Sequence, residues 1–134
     1  MSGGPVGIVL VSHSAQVAES VAELAAGLAA GGAVAPVAAA GGTADGGLGT
    51  SAERIAAAAR EVDRGAGVAL IADLGSAVLT VKALLADDEL PPRSRLVDAP
   101  FVEGAVAALV AASSGAPLDA VAAAAQEAYD YRKG

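Results

Sequence analysis

The sequence predicts an α/β fold in which a mostly parallel four-stranded sheet carries helices on both faces. Two observations carry this expectation. Val6 to Val11 and Val68 to Ala72 are short, continuous apolar runs of the kind that form strands buried on both sides. Between and after them apolar residues recur at helical spacing, so that the chain reads β-α-β-α-β-α-β-α-α, the alternation of a parallel sheet with right-handed crossovers. The 134 residues suffice for one domain with its own core, and no linker or repeat divides them.

The elements follow in order. The first strand gives way to Ser12, the single histidine His13, and Ser14. Val17, Val21, Leu24 and Leu28 then mark one face of a helix, which Gly31 and Gly32 end. Ala33 to Ala39 is a weaker strand, and Pro36 argues for an edge position. A polar, glycine-dense loop runs from Gly41 to Ser51. Thr50 or Ser51 caps the next helix, with Glu53 in its first turn and Ile55, Ala59 and Val62 facing inward. Gly65 to Gly67 closes that helix, and Asp73 stops the strand Val68 to Ala72. Val78, Val81, Leu84 and Leu85 mark the third helix, and Pro91-Pro92 breaks the chain. Leu96-Val97 is the centre of a short fourth strand, and Pro100 opens a helix striped by Val102, Val106, Leu109 and Val110. After Ser113-Ser114-Gly115, the residues Leu118, Val121, Ala122, Ala125 and Tyr129 make the last helix.

Composition removes several function classes. There is no cysteine, so disulfides, thiolate metal sites and cysteine nucleophiles are excluded. One histidine makes the usual zinc sites unavailable, and no metal is expected on this chain. The formal net charge of -7 and three scattered aromatics, Phe101, Tyr129 and Tyr131, argue against nucleic acid as a partner. Leu24 to Ala44 holds no ionisable side chain, yet its glycines, Pro36 and alanines argue against a membrane span. No basic signal segment opens the chain, and a cytoplasmic location is expected.

Open parallel sheets bind ligands beyond the carboxyl ends of their strands. The polar residues gather at those ends: Ser12, His13 and Ser14 after the first strand, the Gly41 to Ser51 loop after the second, and Asp73, Gly75 and Ser76 after the third. Were the first and third strands neighbours, Asp73 would lie beside His13. A carboxylate on one ring nitrogen fixes the tautomer and leaves the other nitrogen as nucleophile. Surrounding helix N-termini, close backbone at Gly49 and Gly75, and the hydroxyls of Thr43, Thr50 and Ser76 suit a phosphoryl group. The plainer readings are a surface histidine, a helix-capping Asp73 and a merely flexible loop. The loop lacks the Lys-Ser/Thr pair of a P-loop and does not match GxGxxG, and no GxSxG elbow is present.

Four motifs in order, VSHS at Val11 to Ser14, GGT and LGTS within Gly41 to Ser51, ADLGSA at Ala72 to Ala77, and APFVEGA at Ala99 to Ala105, resemble the DhaM family. These are the phosphotransfer subunits of phosphoenolpyruvate-dependent dihydroxyacetone kinase, grouped with the mannose-type enzyme IIA domains of the bacterial sugar phosphotransferase system. The resemblance covers nearly the whole chain and implies one domain over residues 1–134. It implies a three-layer sandwich with strand order 2-1-3-4, and a homodimer.

The resemblance also implies a chemistry. His13 would carry the phosphoryl group on Nε2 and Asp73 would orient it through Nδ1-H. Ser12 and Ser14, the loop residues Gly42, Thr43, Gly49, Thr50 and Ser51, and Gly75 with Ser76 would hold the phosphoryl oxygens. The donor would be the carrier HPr, and the acceptor ADP held, with magnesium, on the DhaL subunit, which serves dihydroxyacetone on DhaK. This chain itself would bind no cofactor. The 134 residues include no HPr-like or enzyme-I-like domain, so those carriers are expected as separate proteins. The alternatives are a sugar-transport IIA domain, a module that signals its phosphorylation state, and a purely structural domain. Sugar-transport IIA domains tend to carry a glycine after the histidine and a tryptophan-containing loop after the third strand. Ser14 and Leu74-Gly75-Ser76 stand there instead.

Overall fold

The computed structural model describes residues 4–134. Strand β1 (Gly7–Ser12) leads through helix α1 (Ala15–Ala29) to β2 (Val37–Gly41), α2 (Ala52–Val62), β3 (Val68–Ala72), α3 (Gly75–Ala86), β4 (Ser94–Leu96), α4 (Phe101–Ser113) and α5 (Leu118–Glu127). A 3-10 turn, Ala128–Asp130, follows. The four strands form one sheet in the order β2-β1-β3-β4, all parallel.

Side-chain alternation along the central strands builds two cores. Ile8 and Leu10 of β1 and Ala69 and Ile71 of β3 face α1, α4 and α5, where Val21, Ala25, Leu109 and Val121 cover them. Val9 and Val11, with Val68 and Leu70, face α2 and α3, meeting Ile55, Val62, Val81 and Leu84. A strand between two helical layers has no polar face to show, which is why both runs read as continuous apolar segments.

The helices depart from the expected stripes. On α1 only Val21 of the four expected positions is buried, and the inner face is Ala18, Val21 and Ala25. Val17, Leu24 and Leu28 are exposed. On α4 Val102 and Val110 are likewise exposed, while Gly104, Ala105, Ala108, Leu109 and Ala112 are buried. The layers explain the inversion. A Cβ on buried Gly41 of β2 would strike the carbonyl of Ser14, so α1 enters directly over the sheet and its inner face is built from small side chains, Ala18 and Ala25 beside Val21. Strand β2 starts at Val37, later than expected, with the Pro36 carbonyl accepting from Ile8 N-H. The edge position of β2 is as expected. Tyr129 leaves the last helix's buried face and donates its hydroxyl to Asp98 at 2.8 Å.

The same closeness sets a stability prediction away from the polar cluster. A Cβ on Gly7 would collide with the Val62 backbone carbonyl at the end of α2. Gly7→Ala is expected to lower stability by about 1–3 kcal/mol through overpacking. Urea unfolding of the two chains measures it, and an unchanged midpoint would show that α2 yields freely.

Candidate active site

Register brings the site together. Val11 pairs with Ala72 across β1 and β3, and Asp73 N-H donates to the Val11 carbonyl at 3.0 Å. His13 and Asp73 therefore leave the sheet side by side at its carboxyl edge. The His13 ring nitrogen Nδ1 lies 2.9 Å from Asp73 Oδ1. Because an ionised carboxylate only accepts, Nδ1 carries the proton in this bond, and in the neutral ring the lone pair is on Nε2. Nε2 meets the Ser76 hydroxyl at the exposed rim of the site.

Asp73 is held on all sides. Its Oδ2 accepts from the Ser12 hydroxyl at 2.8 Å and from His13 N-H at 3.1 Å. Its Oδ1 accepts from the ring and from Leu74 N-H at 2.7 Å. Burial works to raise the Asp73 pKa, but the bonds from Ser12, His13 and Leu74 outweigh it, and the carboxyl sits below its ordinary value. The carboxylate thus stays ionised throughout the neutral range.

The other expected residues divide by position. Ser12 is wholly buried, with its hydroxyl turned to Asp73 and its oxygen accepting from Ser14 N-H at 3.1 Å. It supports the carboxylate rather than facing Nε2. Ser14 and Ser51 cap α1 and α2 by accepting from Val17 N-H and Arg54 N-H. Thr43 closes its own turn with Asp45 and Gly47. Gly42, at φ 74°, donates to the Ser12 carbonyl at 3.3 Å. Gly49, at φ 140°, donates to the His13 carbonyl at 2.9 Å, pinning the loop to the histidine's own backbone. Thr50 bonds Thr80 of α3 at 2.9 Å, a partner that sequence reasoning missed. Only the Ser76–Leu79–Thr80 spacing on one helical face hinted at it.

Gly75 and Ser76 open α3, whose N-cap Leu74 makes no side-chain cap bond. Their N-H groups have no acceptor among the described residues. Two free donors at a helix N-terminus, beside the Ser76 hydroxyl and Nε2, are an arrangement suited to an anion next to a ring nitrogen that can act as nucleophile. On the far side of Asp73 a cavity of about 410 Å³ opens between α3 and β4, lined by Val78, Lys82, Asp98 and Tyr129. Among the described residues no three His, Cys, Asp or Glu side chains group in a way that could hold a metal ion.

Comparison with known proteins fits this geometry. The family described as PTS system fructose IIA component, EIIA-man, matches residues 7–122. The chain belongs to the EIIA-man family. Within it, the chain is 36% identical over 107 residues to the phosphoryl donor subunit DhaM of PEP-dependent dihydroxyacetone kinase 2 from Listeria innocua, covering 78% of this chain and 84% of that one. It is 34% identical to the phosphoryl donor subunit DhaM from Providencia stuartii over 131 residues. That alignment takes in 96% of this chain but 28% of the relative, so the chain spans about a quarter of that longer protein. A crystal structure of a protein of unknown function, EF1359, superposes with TM-score 0.78 at 34% identity, covering 92% of this chain and 95% of that one. A sigma-54 interaction domain protein from Enterococcus faecalis superposes with TM-score 0.71 at 18% identity over 96% of this chain and 93% of its own, which shows the EIIA-man fold alone.

Proposed function

We propose that this EIIA-man chain is the phosphohistidine carrier of a PEP-dependent dihydroxyacetone kinase, loaded on His13 by phospho-HPr and discharged to ADP on a DhaL subunit. The observation that carries the reading is the 2.9 Å Nδ1–Asp73 bond, which leaves Nε2 as a fixed nucleophile at an open edge. The names of the DhaM relatives support the kinase over a sugar transporter.

In this reading the Nε2 lone pair forms a bond to phosphorus in line as the P–N bond of the donor breaks. The bonding pair stays on the donor's nitrogen, and the Nδ1 proton stays between the ring and Asp73. Positive charge that develops on the ring is met by a carboxylate already in place. The Ser76 hydroxyl turns from Nε2 to a phosphoryl oxygen, joined by the N-H groups of Gly75 and Ser76. Discharge reverses these steps toward the acceptor. ADP and magnesium belong to DhaL in this scheme, DhaK holds dihydroxyacetone, and this chain contributes no cofactor. A homodimer and a cytoplasmic location are part of the same reading. No helix among the described residues is long and apolar enough to cross a membrane.

The test is transfer in both directions. The chain, labelled from phosphoenolpyruvate through enzyme I and HPr, is expected to pass label to ADP on DhaL, and to dihydroxyacetone once DhaK is added. Label that enters the chain but leaves only to a sugar-specific IIB domain would assign it to transport instead.

A further inference from the structure

The helices that begin at the polar edge are not fixed alike. The hydroxyls of Ser14 and Ser51 cap α1 and α2. Helix α3, which brings Ser76 to Nε2, has Leu74 at its N-cap and no capping side chain. A capping hydroxyl would occupy an N-H group of that first turn, so the turn has to be held from elsewhere. The hold comes one turn further on. Thr80 donates its hydroxyl to the Ser76 carbonyl at 3.0 Å. A hydroxyl carries one proton, so in the 2.9 Å contact between Thr50 and Thr80 the donor is Thr50. The bonds therefore run in one direction, from Thr50 through Thr80 to the backbone of Ser76. Thr50 follows Gly49, whose N-H donates to the His13 carbonyl at 2.9 Å. Consecutive residues of one loop thus hold the backbone of the nucleophile and the first turn of α3.

We propose that Thr50 and Thr80 are positioning residues that set the distance between Nε2 and the first turn of α3, and that neither touches the phosphoryl group. This rests on the carrier reading above. A phosphoryl oxygen accepts hydrogen bonds, and in this arrangement both threonine protons are committed, one to Thr80 and one to the Ser76 carbonyl. A bond from a threonine back to the carbonyl four residues earlier does little for a helix's own stability, so its contribution here is the link it extends to Thr50. In-line transfer asks that the Ser76 hydroxyl and the N-H groups of Gly75 and Ser76 stand at a fixed distance from the attacking nitrogen. A displacement of about 1 Å in such groups can cost about 100-fold in rate. Asp73 fixes the ring and the residue that precedes α3. The threonines fix the turn that follows.

The experiment measures loading from phospho-HPr on the native chain, on Thr50→Val, on Thr80→Val and on the double variant. Valine has the branching of threonine without its hydroxyl. Each single variant is expected to lose at least about fivefold in kcat/KM, through displaced donors. The double variant is expected to lose no more than the larger single loss, since both substitutions cut the same run of bonds. Thr80→Ser restores the hydroxyl and is expected to return to within about twofold of the native rate. Amide NMR reads position directly: loading is expected to shift the Gly75 and Ser76 N-H signals in the native chain, and to shift them less in Thr80→Val. A loss with Thr50→Val but not with Thr80→Val would make Thr50 a phosphoryl ligand and overturn the proposal. So would additive losses in the double variant, or native rates in both single variants. Slower loading with the Gly75 and Ser76 shifts unchanged would mean general loosening, and would overturn it too. A native chain that phospho-HPr does not load would overturn the carrier reading itself, and the positioning proposal with it.

Discussion

His13→Ala is expected to abolish phosphoryl acceptance altogether while leaving the fold intact. The loss is complete because the chain has no second histidine and no cysteine to take over. The fold survives because the ring is at the rim: its side chain is 24% exposed, and its contacts are to Asp73 and Ser76 rather than to either core. Intact-mass measurement at mildly basic pH, after incubation with phosphoenolpyruvate, enzyme I and HPr, reads the result directly. The native chain is expected to gain one acid-labile phosphoryl group, and the variant none. An equal gain in the variant would place the accepting atom elsewhere and end the histidine mechanism. His13→Gln, close in size, separates loss of the nucleophile from loss of shape, and is expected to be as inert as the alanine form.

Asp73→Asn is expected to slow loading roughly 10- to 100-fold, a loss of the size that follows when a charge-assisted bond of about 1.5–3 kcal/mol is removed. All four hydrogen bonds to Asp73 come from donors: Ser12 Oγ, His13 N, His13 Nδ1 and Leu74 N. An amide puts an N-H₂ where one pair of these donors points, so either the ring or the Ser12 side must turn away. Nitrogen NMR of the imidazole reads the tautomer, expected to be Nδ1-H in the native chain and mixed in the variant. Unaltered loading and tautomer would reduce Asp73 to a helix-end residue. The same substitution has a pH signature. The folded-state pKa of Asp73 is depressed, so its contribution to stability is present above the ordinary carboxylate value of 3.8 and is lost as pH falls through the lower folded value. The melting temperature of the native chain is expected to fall more steeply in that acid range than that of Asp73→Asn.

The parts legible in the sequence are those that depend on neighbours along the chain. β1 and β3 announce themselves because a strand covered on both faces must be apolar throughout. His13 and Asp73 were legible as strand-end residues in a parallel sheet, where ligands bind. Helical period located α1 and α4 but not their inner faces. Those depend on close approaches, of α1 over Gly41 and of Gly104 in α4 against Ala99, which the size of Leu24 or Val102 does not reveal. The role of Ser12 was hidden for the same reason. Its partner lies 61 positions away, and only the β1–β3 register turns its hydroxyl inward to Asp73. Thr80 went unnoticed because its value comes from Thr50 across a gap of 30 residues.

The alanine-lined layers of α1, α4 and α5 bear on how the molecule responds to heat. An interior of methyl groups excludes water by close approach, and it hides less apolar surface per residue than one of leucines. Unfolding then hydrates less hydrocarbon, and its heat-capacity increment falls below the usual value of about 12–15 cal/mol/K per residue. A smaller increment flattens the curve of stability against temperature. The sheet edge that carries His13 therefore rests on a scaffold whose stability is expected to vary less with temperature than that of a leucine-rich domain of the same size. The proposed transfer would draw on that evenness, because it asks that His13, Asp73 and Ser76 keep one arrangement across the same range.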